Sequence, residues 1–308
     1  MTTSTVIDVP GAFVASYGTQ GARARAWLDG LPKLGGAFLE RWELRPDGPA
    51  RWGMASLALP VRRADGSPAV LKLQEPREET FGAIPGLLAW RGDGIVRLLD
   101  HDETTTVQLL ERLDAERPLS SVPDEESAVG VLAGLLARLT SVPAPAGLRR
   151  LSDIAAAMVA DTPGAVPALR DPAERKLVER CASAVAELMG EAGDRLLHWD
   201  LHSGNVLAGA REPWLAIDPE PLAGDPGFDL LPGLDDRWAA IAASGDPAGA
   251  VLRRFDRLTE AIGADRRRAV GWTLGRVLQN ALWDVEDGKD TLEPTQVLIA
   301  RTLLEHRG

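Results

Sequence analysis

Residues 197–207 read LHWDLHSGNVL, and residues 214–220 read WLAIDPE. The first segment places Asp200 five positions before Asn205, and the second ends a short apolar run at Asp218. Short strand-like apolar runs flank the polar loop that carries the first two residues. An aspartate, an asparagine and a second aspartate in this order form the most specific pattern in the chain, and the fold prediction starts from it.

These three side chains fit phosphoryl transfer from ATP. The reaction needs a carboxylate to orient and deprotonate an acceptor hydroxyl, and oxygen ligands for the magnesium ions that bridge the phosphates. Asp200 fits the first role. Asn205 and Asp218 fit the second, because Mg²⁺ prefers hard oxygen ligands. The less specific interpretation is that the neighbouring His198 and His202 support a loop whose acids are surface charge.

The segment around Asp200 resembles the catalytic loop of the aminoglycoside phosphotransferases, which usually reads His-Gly-Asp-Leu-His with an asparagine following. Trp199 replaces the common glycine, and this form resembles the branch of the family that phosphorylates the 6-hydroxyl of streptomycin. Residues 211–221, 224–230 and 278–284 resemble that branch too, so the similarity covers nearly the whole chain. It implies a bilobal, protein-kinase-like α+β fold that uses ATP and Mg²⁺.

Hydrophobic periodicity predicts a strand-rich N-lobe of residues 1–112 and a mainly helical C-lobe of residues 113–308, joined near 111–117. The resemblance implies that the N-lobe binds nucleotide and that the C-lobe carries the catalytic loop and the acceptor pocket. In the N-lobe the pattern predicts a five-stranded antiparallel sheet with one helix. The strands are predicted at 37–44, 55–61, 69–73, 95–99 and 106–110, and the helix at 78–90 with an interruption at Pro85. Helices are also predicted at 124–140, 171–189, 248–262 and 265–287, the second of them with a capping box formed by Asp171 and Glu174.

Lys72 is the expected N-lobe contact to the ATP phosphates. It lies in an otherwise apolar strand, where a lysine is either an edge residue reaching solvent or a cation aimed at a phosphate. Its compact ammonium suits the second role. By analogy with kinases, a partner carboxylate is expected from the following helix, with Glu79 as the candidate and Glu78 as the alternate.

The sequence indicates the other nucleotide contacts less specifically. No G-x-G-x-x-G motif is present, so the turn at residues 53–56 is the candidate cover for the phosphates, with Ser56 as a donor. The connector residues Glu111 and Leu113 resemble the hinge whose backbone contacts adenine.

The acceptor implied by the resemblance is cationic, since streptomycin carries two guanidinium groups on the ring that bears the 6-hydroxyl. A matching pocket needs carboxylates beside Asp200. Asp284, Glu286 and Asp287 end a long predicted helix, where acids oppose the helix dipole, so they are either solvated charge or a ligand site. Glu220 is another candidate.

Composition narrows the class of protein. The net charge of −11 opposes nucleic-acid binding and favours a cationic ligand. A single cysteine, Cys181, excludes an internal disulfide and a thiolate zinc cluster. The sequence has neither a secretory signal nor an apolar stretch near the roughly 20 residues that span a bilayer. We expect a cytoplasmic monomer.

Two alternatives remain open from the sequence. The first is a related kinase that acts on hydroxyurea or another small hydroxylated metabolite. The second is a nucleotide-binding pseudokinase that regulates a partner. A pseudokinase would have lost the base or a metal ligand, whereas Lys72, Asp200, Asn205 and Asp218 are all present.

Overall fold

The computed structural model describes residues 6–306, apart from the side chain of Glu79. This part of the chain forms two compact units, which are residues 6–92 with 96–113, and residues 93–95 with 114–306. Among the described residues, no helix has both the length and the apolar character needed to cross a membrane.

The first unit contains a six-stranded antiparallel sheet. Its strands are β1 (Arg45–Pro46), β2 (Arg51–Trp52), β3 (Ser56–Arg62), β4 (Pro68–Gln74), β5 (Leu98–His101) and β6 (Gln108–Glu111). They pair in the order β1-β3-β4-β6-β5, with β2 also on β3. The strands predicted at 55–61, 69–73, 95–99 and 106–110 therefore lie close to β3, β4, β5 and β6, but the number of strands is six rather than five.

The predicted strand at residues 37–44 is wrong. Two helices, α1 (Gly11–Tyr17) and α2 (Ala22–Arg41), precede the sheet, and most of the segment belongs to the last turns of α2. Leu28, Leu31, Phe38 and Leu39 are buried at helical spacing. A short apolar run such as 37–44 cannot be assigned to a strand or a helix by periodicity alone. The prediction is wrong because it uses these eight residues without the preceding part of the helix.

The helix predicted at residues 78–90 is two helices, α3 (Glu78–Phe81) and α4 (Ala83–Trp90). Pro85 does not interrupt it. Pro85 lies in the first turn of α4, where a proline has no intrahelical hydrogen bond to lose. The division falls at Gly82 instead.

The second unit is mainly helical. Its helices are α5 (Glu125–Thr140), α6 (Leu151–Ala165), α7 (Pro172–Leu188), α8 (Leu231–Asp235), α9 (Trp238–Ala243), α10 (Pro247–Ala261), α11 (Arg266–Glu286) and α12 (Pro294–Glu305). The four helices predicted here correspond to α5, α7, α10 and α11. The antiparallel sheet of the first unit and the helices of the second confirm the predicted α+β class.

Helix α7 begins at the predicted cap, Asp171, but Glu174 binds a different backbone amide from the one predicted. The Asp171 carboxylate accepts a hydrogen bond from the Ala173 amide at 2.8 Å. The carboxylate of Glu174 does not complete the predicted capping box, because it accepts a hydrogen bond from the Leu292 amide at 3.1 Å. Glu174 thus ties the start of α7 to the segment before α12.

Short strands hold the polar loops of the second unit. These are β7 (Asp114–Pro118), β8 (Arg195–Leu197), β9 (Val206–Ala208), β10 (Leu215–Ala216) and β11 (Leu222–Gly224). Strand β9 pairs with β10 and β7, and β8 pairs with β11, all antiparallel. The loop containing Asp200 runs from β8 to β9, and Asp218 lies just after β10.

Candidate active site

Asp200 and Asn205 are joined directly in the loop between β8 and β9. The Asn205 amide nitrogen donates to the Asp200 carbonyl oxygen at 2.9 Å and to the Asp200 carboxylate at 3.1 Å. The Asn205 carbonyl accepts from the Ile217 amide at 2.8 Å. This bond places the backbone before Asp218 beside Asn205, so the structure brings together the three residues that the sequence pattern singled out.

Asp229 fixes the first half of this loop. Its buried carboxylate accepts hydrogen bonds from the amides of His198 at 2.6 Å and Trp199 at 2.9 Å. Burial raises the pKa of Asp229 to about 6, against the effect of these two donors. The loop preceding Asp200 is therefore held by a carboxylate that is not exposed to solvent.

Trp199 occupies an unusual position. Its φ of 74° lies in the left-handed region, which costs an L-residue about 1–2 kcal/mol, so the glycine usual in the resembling family suits this backbone. Here the indole is buried, and the guanidinium groups of Arg276 and Arg149 lie 4.3 and 4.8 Å from its ring centroid. The rings of Phe228 and Trp283 lie 5.6 and 6.2 Å away. Cation–π and aromatic contacts offset the strain.

His202 lies beside Asp200. The His202 Nε2 atom lies 3.6 Å from an Asp200 carboxylate oxygen, and this interaction raises the pKa of His202. Burial by itself raises the pKa of Asp200, but the hydrogen bond and charge of His202, with His198 and Arg276, lower it overall. An ionised Asp200 is what a group that accepts a proton from a hydroxyl requires.

Asp200 faces a cavity of about 280 Å³ within the second unit. Its walls include Asp200, His202, Asp235, Asp236, Arg276 and Asn280. The sequence analysis does not identify Asp235, Asp236 or Arg276. The two adjacent acids after an apolar run resemble ordinary surface charge, and Arg276 lies in a helix whose periodicity gives no sign of a cavity.

The acids expected at the acceptor are not among the residues that line this cavity. Asp284 is paired with Lys289 at 2.6 Å, and Glu286 and Asp287 are exposed at the end of α11. None of the three is among the residues that line the cavity beside Asp200. Glu220 is partly buried, and its amide donates to the His198 carbonyl at 3.1 Å. The assignment of these acids to the acceptor stays a prediction.

The five residues expected to contact the nucleotide all belong to the first unit. Lys72 lies in β4 and is buried, whereas the side chain of its expected partner Glu79 lies outside the described part of the chain. Ser56 begins β3, and its carbonyl accepts from the Gly53 amide at 3.0 Å. The Glu111 carboxylate accepts from the Arg97 amide at 2.9 Å, and Leu113 follows β6.

The donor set suits magnesium better than a metal that requires several carboxylates or imidazoles. No group of three or more His, Cys, Asp or Glu side chains that could hold a metal occurs within residues 6–306. Because Asn205 uses its amide nitrogen on Asp200, its oxygen is the atom left to act as a ligand. Asn205 and Asp218 could therefore offer two oxygen ligands, a number that suits Mg²⁺ bound to phosphates and water.

Comparison with known proteins decides the family. Residues 41–288 match the model of the aminoglycoside/hydroxyurea antibiotic resistance kinase family. The chain belongs to this family. It is 61% identical to a streptomycin 6-kinase from Streptomyces glaucescens over 99% of this chain and 100% of that protein. It is also 54% identical to a hydroxyurea phosphotransferase from Kitasatospora aureofaciens over 98% of this chain and 88% of that protein.

The resemblance drawn from the catalytic loop is thus confirmed, and the chain is a phosphotransferase of this kinase family. Solved structures agree on the fold. A thermostable mutant of aminoglycoside phosphotransferase APH(4)-Ia, in a ternary complex with AMP-PNP and hygromycin B, matches with a TM-score of 0.54. The match covers 86% of this chain and 97% of that one at 16% identity, so it supports the protein-kinase-like fold alone.

Proposed function

We propose that this protein transfers the γ-phosphoryl group of ATP to the 6-hydroxyl of streptomycin. The observation that carries the proposal is the Asp200 carboxylate, which Asn205 and His202 hold at the wall of a cavity. The kinship with streptomycin 6-kinase at 61% identity supports the choice of acceptor. A cytoplasmic location belongs to the same proposal, because the donor is ATP.

In this proposal Asp200 orients the acceptor hydroxyl and takes its proton. The hydroxyl oxygen forms a bond to the γ-phosphorus, the bond from that phosphorus to the β–γ bridging oxygen breaks, and ADP leaves with the electron pair. The products are the phosphate ester, ADP and a proton. Positioning and charge stabilisation supply most of the rate in such reactions, so the fixed loop around Asp200 is an essential part of the site.

The remaining roles concern the nucleotide. Lys72, with Glu79 as its partner, is assigned to the phosphates, Ser56 to their cover, and the backbone of Glu111 and Leu113 to adenine. We assign nucleotide binding to residues 1–112 and the acceptor to residues 113–308. Asn205 and Asp218 would hold magnesium, which when bound neutralises charge on the phosphates.

Hydroxyurea is the second candidate acceptor. The family description includes it, and a hydroxyurea phosphotransferase is 54% identical over nearly the whole chain. Hydroxyurea is small and uncharged, whereas streptomycin is large and cationic. The two candidates therefore make different demands on the charges around the cavity.

A coupled assay of ADP release with each acceptor tests the proposal. We expect ATP- and magnesium-dependent turnover with streptomycin, and a product that carries phosphate on the 6-hydroxyl by NMR. Turnover with hydroxyurea and none with streptomycin would replace the first candidate by the second. ADP release that is independent of every acceptor would contradict both.

A further inference from the structure

Three carboxylates face the cavity, and two of them are already engaged. Asp200 interacts with Asn205 and His202. Both oxygens of Asp236 accept hydrogen bonds from Ser203, one from its amide at 3.2 Å and the other from its hydroxyl at 2.8 Å. These contacts give Asp200 and Asp236 defined positions without any ligand.

Asp235 differs from both. It ends helix α8 and is partly buried at the cavity wall. Within residues 6–306, its carboxylate accepts no hydrogen bond and forms no ion pair. Burial raises the pKa of Asp235 to about 6, and the adjacent Asp236 raises it further. A partly desolvated carboxylate without a partner is costly, and a bound cation removes that cost.

The other charged groups around Asp235 do not supply such a cation at contact distance. Arg276 and His202 attract it only through longer-range charge, and Asp200 repels it. Arg276 is 7% exposed and lies over the Trp199 ring, and its Nη1 donates to Gln279 at 2.8 Å. Its Nε is buried and has no hydrogen-bond partner within the described residues.

We propose that Asp235 is a specificity-determining residue of the acceptor site, where its carboxylate binds a guanidinium or ammonium group that neighbours the reacting hydroxyl. Asp200 and Asp235 line one cavity of about 280 Å³, so a cation at Asp235 and a hydroxyl at Asp200 belong to nearby parts of one acceptor. The acceptor class is therefore a hydroxyl compound with an adjacent cationic group.

This inference rests on the proposed function and sharpens it. It predicts that the two candidate acceptors respond differently to the loss of the Asp235 charge. Streptomycin would lose an ionic contact, whereas uncharged hydroxyurea has no cation to place there. Without Asp235, preference between the two acceptors would shift towards the uncharged one.

The test compares Asp235→Asn with the charge-matched control Asp161→Asn, which removes an exposed acid from α6. Steady-state kinetics are measured with streptomycin and with hydroxyurea. We expect Asp235→Asn to raise the streptomycin KM at least tenfold and to leave the KM for ATP unchanged, since breaking a desolvated charge pair weakens binding strongly. Asp235→Glu, which keeps the charge, should recover part of the affinity.

A streptomycin KM within twofold of wild type in folded Asp235→Asn would overturn the inference. An equal loss with streptomycin and hydroxyurea would also overturn it, because the role would then not concern charge.

If the wild type phosphorylates hydroxyurea alone, the proposed function fails while the inference stays testable. Streptomycin should then inhibit hydroxyurea phosphorylation competitively in the wild type, with a Ki at least tenfold higher in Asp235→Asn, and an unchanged Ki would overturn it.

Discussion

Two acidic regions of the second unit differ in what surrounds their carboxylates. Asp235 and Asp236 lie in the wall of the cavity that contains Asp200. Asp284, Glu286 and Asp287 lie at the end of α11, where Asp284 already has Lys289 as a partner and the other two are exposed. We therefore base the proposed cation site on desolvation and the lack of a partner, and not on an unfavourable position at a helix end.

The largest effect on activity is expected at Asp200, which lines the same cavity as Asp235 and Asp236. We expect Asp200→Asn to fold and bind nucleotide but to lose about 10²–10⁴-fold in kcat, the usual contribution of a general base. Single-turnover kinetics with streptomycin measure the loss. A rate within tenfold of wild type would remove Asp200 from its catalytic role, and Asp161→Asn should show no loss.

The next largest effect is expected at Asp229, whose loss should lower the stability of the protein by releasing the loop before Asp200. Asp229→Ala leaves the amides of His198 and Trp199 without their acceptor, and each unsatisfied buried group costs about 1–3 kcal/mol. We expect urea denaturation to show a free energy of unfolding lower by about 2–6 kcal/mol, the sum for the two amides. Unchanged stability would mean that solvent replaces these hydrogen bonds and that Asp229 does not hold the loop.

The pH dependence of the streptomycin KM tests whether Asp235, and not the acids at the end of α11, binds the cation. Because the pKa of Asp235 is about 6, its carboxylate is ionised above that pH and protonated below it. A guanidinium keeps its charge throughout this range. We therefore expect the streptomycin KM to rise about tenfold as the pH falls from 7 to 5, as one titrating group requires.

Asp235→Asn is the control for this titration, since His202, whose pKa is raised, also lies at the cavity and gains charge as the pH falls. The variant should show a much smaller rise in KM over the same interval. If wild type and variant give the same pH profile, another group governs the binding of the cation.

The smallest effect is expected at the second acidic region. Asp284→Asn removes an ion pair between a partly buried carboxylate and the exposed Lys289, and ion pairs open to solvent contribute little to stability. We expect the streptomycin KM and the melting temperature to stay close to those of the wild type. A tenfold rise in KM with an unchanged KM for ATP would restore the assignment made from the sequence.

Much of the fold could be predicted because local patterns determine it. Alternating burial in β3 and strong caps such as Asp171 are visible in the sequence. The helix over residues 37–41 was missed because its apolar residues make sense only together with Leu28 and Leu31, far earlier in the chain. Local windows do not contain that information.

The residues of the candidate site also fall into two groups, those that the sequence predicts and those that only the packing of the helices reveals. The grouping of Asp200, Asn205 and Asp218 depends on a short hairpin-like stretch, so spacing alone reveals it. Asp235 and Arg276 meet at the cavity from helices that are distant in sequence, and their importance comes from desolvation and missing partners. These properties depend on packing between helices, which no spacing rule describes.

A crystal structure of the protein with bound streptomycin would test the central claim most directly. The account predicts a guanidinium nitrogen within about 3.2 Å of the Asp235 carboxylate, an ordinary charge-assisted hydrogen-bond distance, and the 6-hydroxyl within hydrogen-bond reach of Asp200. A guanidinium group bound to Asp284 or Asp287, with no cation on Asp235, would contradict it.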